Sequence, residues 1–265
     1  IVTNSEIDTG DNVSVLTGIG DGSFNPATVH SVGFNSRPED ALVTDVDKDG
    51  NLDIVTANTG GPGGSDSLGV LLGNDNGTFS DVQLFSVSDD PFGVVTGDFN
   101  NDGNPDLATS TWGHNSEVSI LLGNGDGTFG AATHFDAGPT NYELAVADFD
   151  LDGNQDLVVG NAQSSSLSLL FGTGDGTFGP RNTLSVATGP NGIVVADLND
   201  DGIDDIATST STSKSLSVLM GIPDTDNLTF SRTFQVTVNP VNDDPTLDQP
   251  DDLTVDEDAP EQTVD

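Results

Sequence analysis

The stretch Asp148-Phe149-Asp150-Leu151-Asp152-Gly153-Asn154-Gln155-Asp156 puts carboxylates at its first, third, fifth and ninth positions and glycine at the sixth. Acidic side chains two residues apart cannot converge from a flat strand or a helix. They can converge from a tight loop that wraps a cation. Gly153 allows the positive φ that the sharpest part of such a wrap requires. An all-oxygen donor set without His or Cys suits Ca²⁺ far better than Zn²⁺ or copper.

The stretch recurs three times. Asp45, Asp47, Asp49, Gly50, Asn51 and Asp53 form one copy. Asp98, Asn100, Asp102, Gly103, Asn104 and Asp106 form the next, and Asp197, Asn199, Asp201, Gly202, Ile203 and Asp205 the last. A single acidic, glycine-containing loop is a moderate signal, because solvated acidic turns are common. Four copies about fifty residues apart are a repeat, and a repeat implies an array architecture.

Short runs of small and β-branched residues flank every copy. Leu144-Ala145-Val146-Ala147 precedes the third loop and Leu157-Val158-Val159-Gly160 follows it. Such runs read as buried strands. A third strand follows at 68–72, 118–122, 167–171 and 216–220. The turn Gly123-Asn-Gly-Asp-Gly-Thr-Phe129 comes next, with copies at 18–24, 73–79 and 172–178, and leads to a less regular fourth strand. Pro38, Pro91, Pro139 and Pro190 mark the crossings between units. The expected fold is all-β, a β-propeller of four-stranded antiparallel blades. Four blades are nearly complete. A partial one at the start lacks its first strand and its loop, so the ring is expected to be a fragment of a larger one. A parallel β-helix would need a much shorter period.

The run Ala-Val-Ala-Asp-Phe-Asp-Leu-Asp-Gly-Asn-Gln-Asp-Leu-Val-Val at 145–159, followed by Ser-Leu-Leu-Phe-Gly-Thr-Gly-Asp-Gly-Thr-Phe at 168–178, resembles the FG-GAP/VCBS-type repeats of bacterial secreted proteins. It is also similar to the calcium-bearing blades of integrin α-subunits. The resemblance covers residues 1–230. It implies about four Ca²⁺ ions, one per complete loop. The side chains at positions one, three, five and nine and the carbonyl at position seven would hold each ion. Those residues are Asp45, Asp47, Asp49, Asn51 and Asp53; Asp98, Asn100, Asp102, Asn104 and Asp106; Asp148, Asp150, Asp152, Asn154 and Asp156; and Asp197, Asn199, Asp201, Ile203 and Asp205. Asn100 and Asn199 remove one charge from their loops, so weaker binding is expected there. An EF-hand needs a bidentate Glu at position twelve and flanking helices. Thr56, Thr109, Val159 and Thr208 stand there instead.

Residues 231–265 change character. A Pro/Asp-rich acidic stretch resembles the junction to a cadherin-like or Ig-like module, and it reads as a linker.

The chain of 265 residues carries 44 acidic and 5 basic residues, a formal net charge of −39. That balance excludes nucleic acid and anionic membrane surfaces as partners. It suits a salty, calcium-containing exterior, so an extracellular, secreted or surface location in bacteria is expected. The absence of cysteine excludes thiol chemistry, and no apolar run approaches a membrane span. The start at Ile1 suggests a piece of something longer. No nucleophile-elbow, zinc-protease or P-loop motif occurs, and His30 and His134 fall in fourth-strand segments. The chain is therefore expected not to be an enzyme. Calcium-dependent adhesion, or binding of a glycan or surface-protein ligand, is the leading reading. A calcium-stabilised spacer and the propeller part of a polysaccharide-degrading enzyme are the alternatives.

Strand alternation puts the acidic loops and the Gly-Asp-Gly-Thr-Phe turns on one face. The variable loops fall on the other. Trp112, His114 and Tyr142 lie there and are the candidate ligand-binding residues. The competing reading is that Trp112 packs over a blade edge.

Overall fold

The computed structural model describes residues 1–4, 11–61, 64–113, 116–139, 141–221 and 233–237. Among them there is no helix, and the strands form five antiparallel sheets in chain order. The first has three strands, Val2–Asn4 (β1), Asn12–Val15 (β2) and Thr28–Ser31 (β3). The second contains Pro38–Thr44 (β4), Asp53–Asn58 (β5), Ser67–Leu71 (β6) and Gln83–Ser86 (β7). The third contains Pro91–Gly97 (β8), Asp106–Thr111 (β9), Glu117–Leu121 (β10) and Thr133–Asp136 (β11). The fourth runs Asn141–Ala147 (β12), Asp156–Asn161 (β13), Ser166–Leu170 (β14) and Asn182–Ser185 (β15). The fifth is Pro190–Ala196 (β16), Asp205–Thr210 (β17), Ser215–Leu219 (β18) and Thr233–Thr237 (β19). This is one partial and four complete propeller blades, as the repeat count predicts. The strand β19 pairs with β18, so the last blade continues past the expected boundary at residue 230. The remainder of the 231–265 stretch lies outside the described residues.

The second strands of the three middle blades are buried because a neighbouring blade covers each of their faces. Every residue of β5, β9 and β13 is buried. Successive side chains point to opposite faces of a strand. Ile54 accordingly packs back against Val13 and Val32 of the first sheet. Its neighbour Val55 packs forward with Val94, Leu107 and Leu121 of the third. Leu157 and Val158 divide the same way between the third and fifth sheets.

The turn phenylalanines lock each blade onto the one before it. Each closes its turn in a short bridge to the glycine six residues earlier. Phe129 then meets Phe85 edge-on at 5.3 Å, and Phe178 meets Phe99 at 5.6 Å and Phe135 at 5.4 Å. Phe79 meets the ring of His30 at 5.0 Å. Among the described residues no blade lies before Phe24, which is 62% exposed, against 9% for Phe129 and Phe178. The first strands β4, β8, β12 and β16 lie side by side in that order. A bulge interrupts each near its start, between Pro38 and Asp40, Pro91 and Val94, Asn141 and Leu144, and Pro190 and Ile193. Bulges re-aim side chains, and these do so on the face away from the acidic loops.

Candidate functional site

The four acidic loops share one hydrogen-bonded plan. The first-position carboxylate takes two backbone amides through its two oxygens. Asp148 Oδ1 accepts from Asp152 N at 3.1 Å and Oδ2 from Gly153 N at 2.9 Å. Asp45, Asp98 and Asp197 accept the matching pairs. The fifth-position carboxylate accepts from the seventh amide in every loop, at 2.7–2.9 Å. Asp47, Asn100 and Asp150 each accept from the fifth amide through Oδ1. These bonds fold the loop so that side-chain oxygens gather on its inside.

Two backbone positions make the wrap possible. The sixth-position glycines have φ between 81° and 93°, as expected. The fourth position is also left-handed, at φ 61° for Lys48, 57° for Asn101, 58° for Leu151 and 61° for Asp200. That region disfavours a branched side chain such as leucine, so the loop imposes it on whatever residue stands there.

The ninth carboxylate works differently. Asp156 is fully buried. Its Oδ2 accepts from Phe149 N at 2.8 Å and its Oδ1 from Gly172 N at 2.8 Å. It therefore ties the loop, the second strand and the turn glycine together. Asp53, Asp106 and Asp205 make the same two bonds. Burial pushes Asp156 up to about 7, against the downward pull of the two amides and with a smaller upward push from Asp150 and Asp148. Asp53 and Asp106 move in the same direction for the same leading reason.

Two loops bring three carboxylates together with ligand oxygens within 4.8 Å of one another: Asp45, Asp47 and Asp49, and Asp148, Asp150 and Asp156. Oxygens sharing one Ca²⁺ shell lie at most about 5 Å apart, twice the ordinary Ca–O distance. The donor set and its spacing fit that ion. Loops two and four differ. Asn100 keeps the oxygen placement of an aspartate but carries no charge. Lys48 reaches across from the preceding loop, donating to Gly103 O and Asn104 Oδ1, each at 3.0 Å. Asn199 instead turns its amide toward Met220 Sδ at 3.9 Å, and Ile203 buries its side chain, with 3% exposed.

On the opposite face the chain brings together two of the three candidate ligand residues. Trp112 follows β9 and Tyr142 lies in β12, with ring centroids 6.0 Å apart. Phe92, which the sequence reading did not single out, completes the cluster at 4.8 Å from Tyr142 and 6.2 Å from Trp112. Phe92 and Tyr142 occupy equivalent bulge positions in successive blades, so the repeat alignment held the signal. Trp112 N donates to Asp90 O at 2.7 Å, which fixes its backbone, while 47% of the residue stays exposed. The equivalent residues in the next two blades are Ala162 and Ser211. That step down in size opens a cleft of about 220 Å³ lined by Trp112, Tyr142, Ala162, Gln163, Asn191 and Ser211. His114 lies outside the described residues. His30 and His134, on the outer strands β3 and β11, bond Thr28 and Ser119 and enter neither site.

A family model described as an FG-GAP-like repeat matches residues 45–109, 110–159 and 148–208. These matches take in more than half of the sequence, and the chain belongs to the FG-GAP-like repeat family. No curated protein matches it. Among solved structures, a candidate 6-phosphogluconolactonase from Bacteroides uniformis is similar with a TM-score of 0.62 and 15% identity, over 87% of this chain and 66% of that one. A candidate phosphatase from Bacteroides thetaiotaomicron is similar with a TM-score of 0.52 and 12% identity, over 79% of this chain and 55% of that one. This chain thus spans less than two thirds of the length of either. At such identities the likeness concerns the fold alone.

Proposed function

We propose that the chain is a calcium-stabilised, non-catalytic propeller segment of a larger extracellular bacterial protein, and that it serves adhesion or ligand binding. The four loops would each take one Ca²⁺, with Asp45, Asp47 and Asp49, and Asp148, Asp150 and Asp156, as the strongest donor groups. The ion would offset carboxylate repulsion that the chain's 5 basic residues cannot answer. The ligand would sit in the aromatic cleft, on the face the ions leave free. The observation that carries this reading is the repetition of one oxygen-gathering hydrogen-bond plan in four loops.

A site held at a hundredfold excess of ion over its dissociation constant contributes about 2.7 kcal/mol of stability. Thermal melting in Ca²⁺, in Mg²⁺ and in excess chelator tests this. Chelation should lower the melting temperature well beyond scatter. Mg²⁺ should restore little of it, because a small octahedral ion takes fewer protein oxygens. Superimposable curves in all three conditions would overturn the proposal.

A further inference from the structure

The chain carries 44 acidic residues, yet among the described residues no carboxylate lines the cleft beside Trp112. Its polar groups are the amides of Gln163 and Asn191 and the hydroxyls of Tyr142 and Ser211. An adjoining cleft of about 440 Å³ shares Asn191 and Ser211 and continues over Ser209, Thr210 and Ser215. Among the described residues it too is free of carboxylates, and the one charged group lining it is Lys214.

We infer that the two clefts form one groove for an uncharged oligosaccharide, stacked on Trp112 and extended over Asn191 and Ser211 toward Thr210. This rests on the ligand occupying that face, and it names the ligand's chemical class. Trp112 is half exposed and held edge-to-face or tilted against Phe92 and Tyr142. A ring already fixed by its neighbours offers flat apolar area without a further ordering penalty on binding. Each carboxamide supplies both donors and an acceptor, and each hydroxyl does both. That inventory matches the adjacent hydroxyls of a sugar ring, and it gives a cationic peptide no counter-charge. The −39 field disfavours an anionic ligand. Size points to several sugar units. The Trp112 cleft alone is smaller than an ordinary ligand pocket of about 300–1,000 Å³, whereas the joined groove falls within that range.

Trp112 is the only tryptophan, so intrinsic fluorescence reads the site directly. The calcium-loaded chain is screened on an array of neutral and acidic glycans. It is then titrated with the neutral hexasaccharide that binds best, with its disaccharide, and with oligogalacturonate. A saturable shift in tryptophan emission is expected with the neutral hexasaccharide, at least tenfold tighter than with the disaccharide. Asn191→Ala and Gln163→Ala should each weaken it about tenfold. Recognition of oligogalacturonate that Lys214→Gln abolishes would overturn the inference in favour of charge recognition. Silence across the neutral glycans would overturn it outright. Melting with and without Ca²⁺ on the same sample separates the two readings: a calcium shift without a saccharide response sinks this inference alone.

Discussion

The two faces of this propeller segment are built from the same repeat and treated in opposite ways. On one face, Asp148, Asp152, Gly153 and Asp156 have counterparts in three other loops, and the hydrogen bonds around them recur at nearly equal lengths. On the other, equivalent positions read Thr59, Trp112, Ala162 and Ser211, and beside them Glu39, Phe92, Tyr142 and Asn191. The first face repeats because each loop must satisfy its own buried amides and gather its own oxygens. The second is free to vary because bulged strand ends on a rigid sheet support any side chain. Repetition marks what holds the blades, and variation marks where a ligand could be read.

The sharpest way to break the comparison is to make one truncation on each face. Asp156→Ala strands the amides of Phe149 and Gly172 in a buried site, at about 1–3 kcal/mol each. Trp112→Ala removes a half-exposed ring and should change stability by no more than about 1 kcal/mol. Urea unfolding of the two variants measures the gap. Equal losses would mean that the faces are not divided as argued.

A smaller effect sharpens the picture on the second face. Glu143, next to Tyr142 at the bulge, is raised above the ordinary carboxylate range, first by burial and then by the charge of Asp40. A carboxyl raised in the folded state favours folding while it is protonated, and that contribution is lost as pH rises through its folded value. The wild-type chain should lose some stability as pH rises above the ordinary Glu value of about 4.3, and Glu143→Gln should retain it. Parallel profiles would show that Glu143 is not so held.

The blades, their number and the loop phase could be read from the sequence, because buried strands and a fifty-residue period leave a strong pattern. The acidic positions could be read as a group, but their separate duties could not. Nothing in the one-dimensional pattern distinguishes Asp148, which folds the loop, from Asp156, which ties three segments together. The left-handed fourth position was hidden because Lys48, Asn101, Leu151 and Asp200 share no chemistry. Lys48 crossing to Asn104 and Asn199 turning to Met220 depend on neighbouring loops and strands, so no local motif announces them. Phe92 escaped because its partners are distant in sequence, although its alignment with Tyr142 was available. The strand at Thr233–Thr237 falls in the stretch that reads as a linker, since its pairing with β18 spans an intervening segment.

Calorimetric titration of the chelator-stripped chain with Ca²⁺ tests the central claim most directly. The account predicts four ions per chain in two classes. The tighter pair belongs to the loops of Asp45 and Asp148. The weaker pair belongs to the loop that Lys48 crosses and the loop in which Asn199 turns away. No saturable heat, or a single ion bound elsewhere and unaffected by Asp45→Ala and Asp148→Ala, would contradict it.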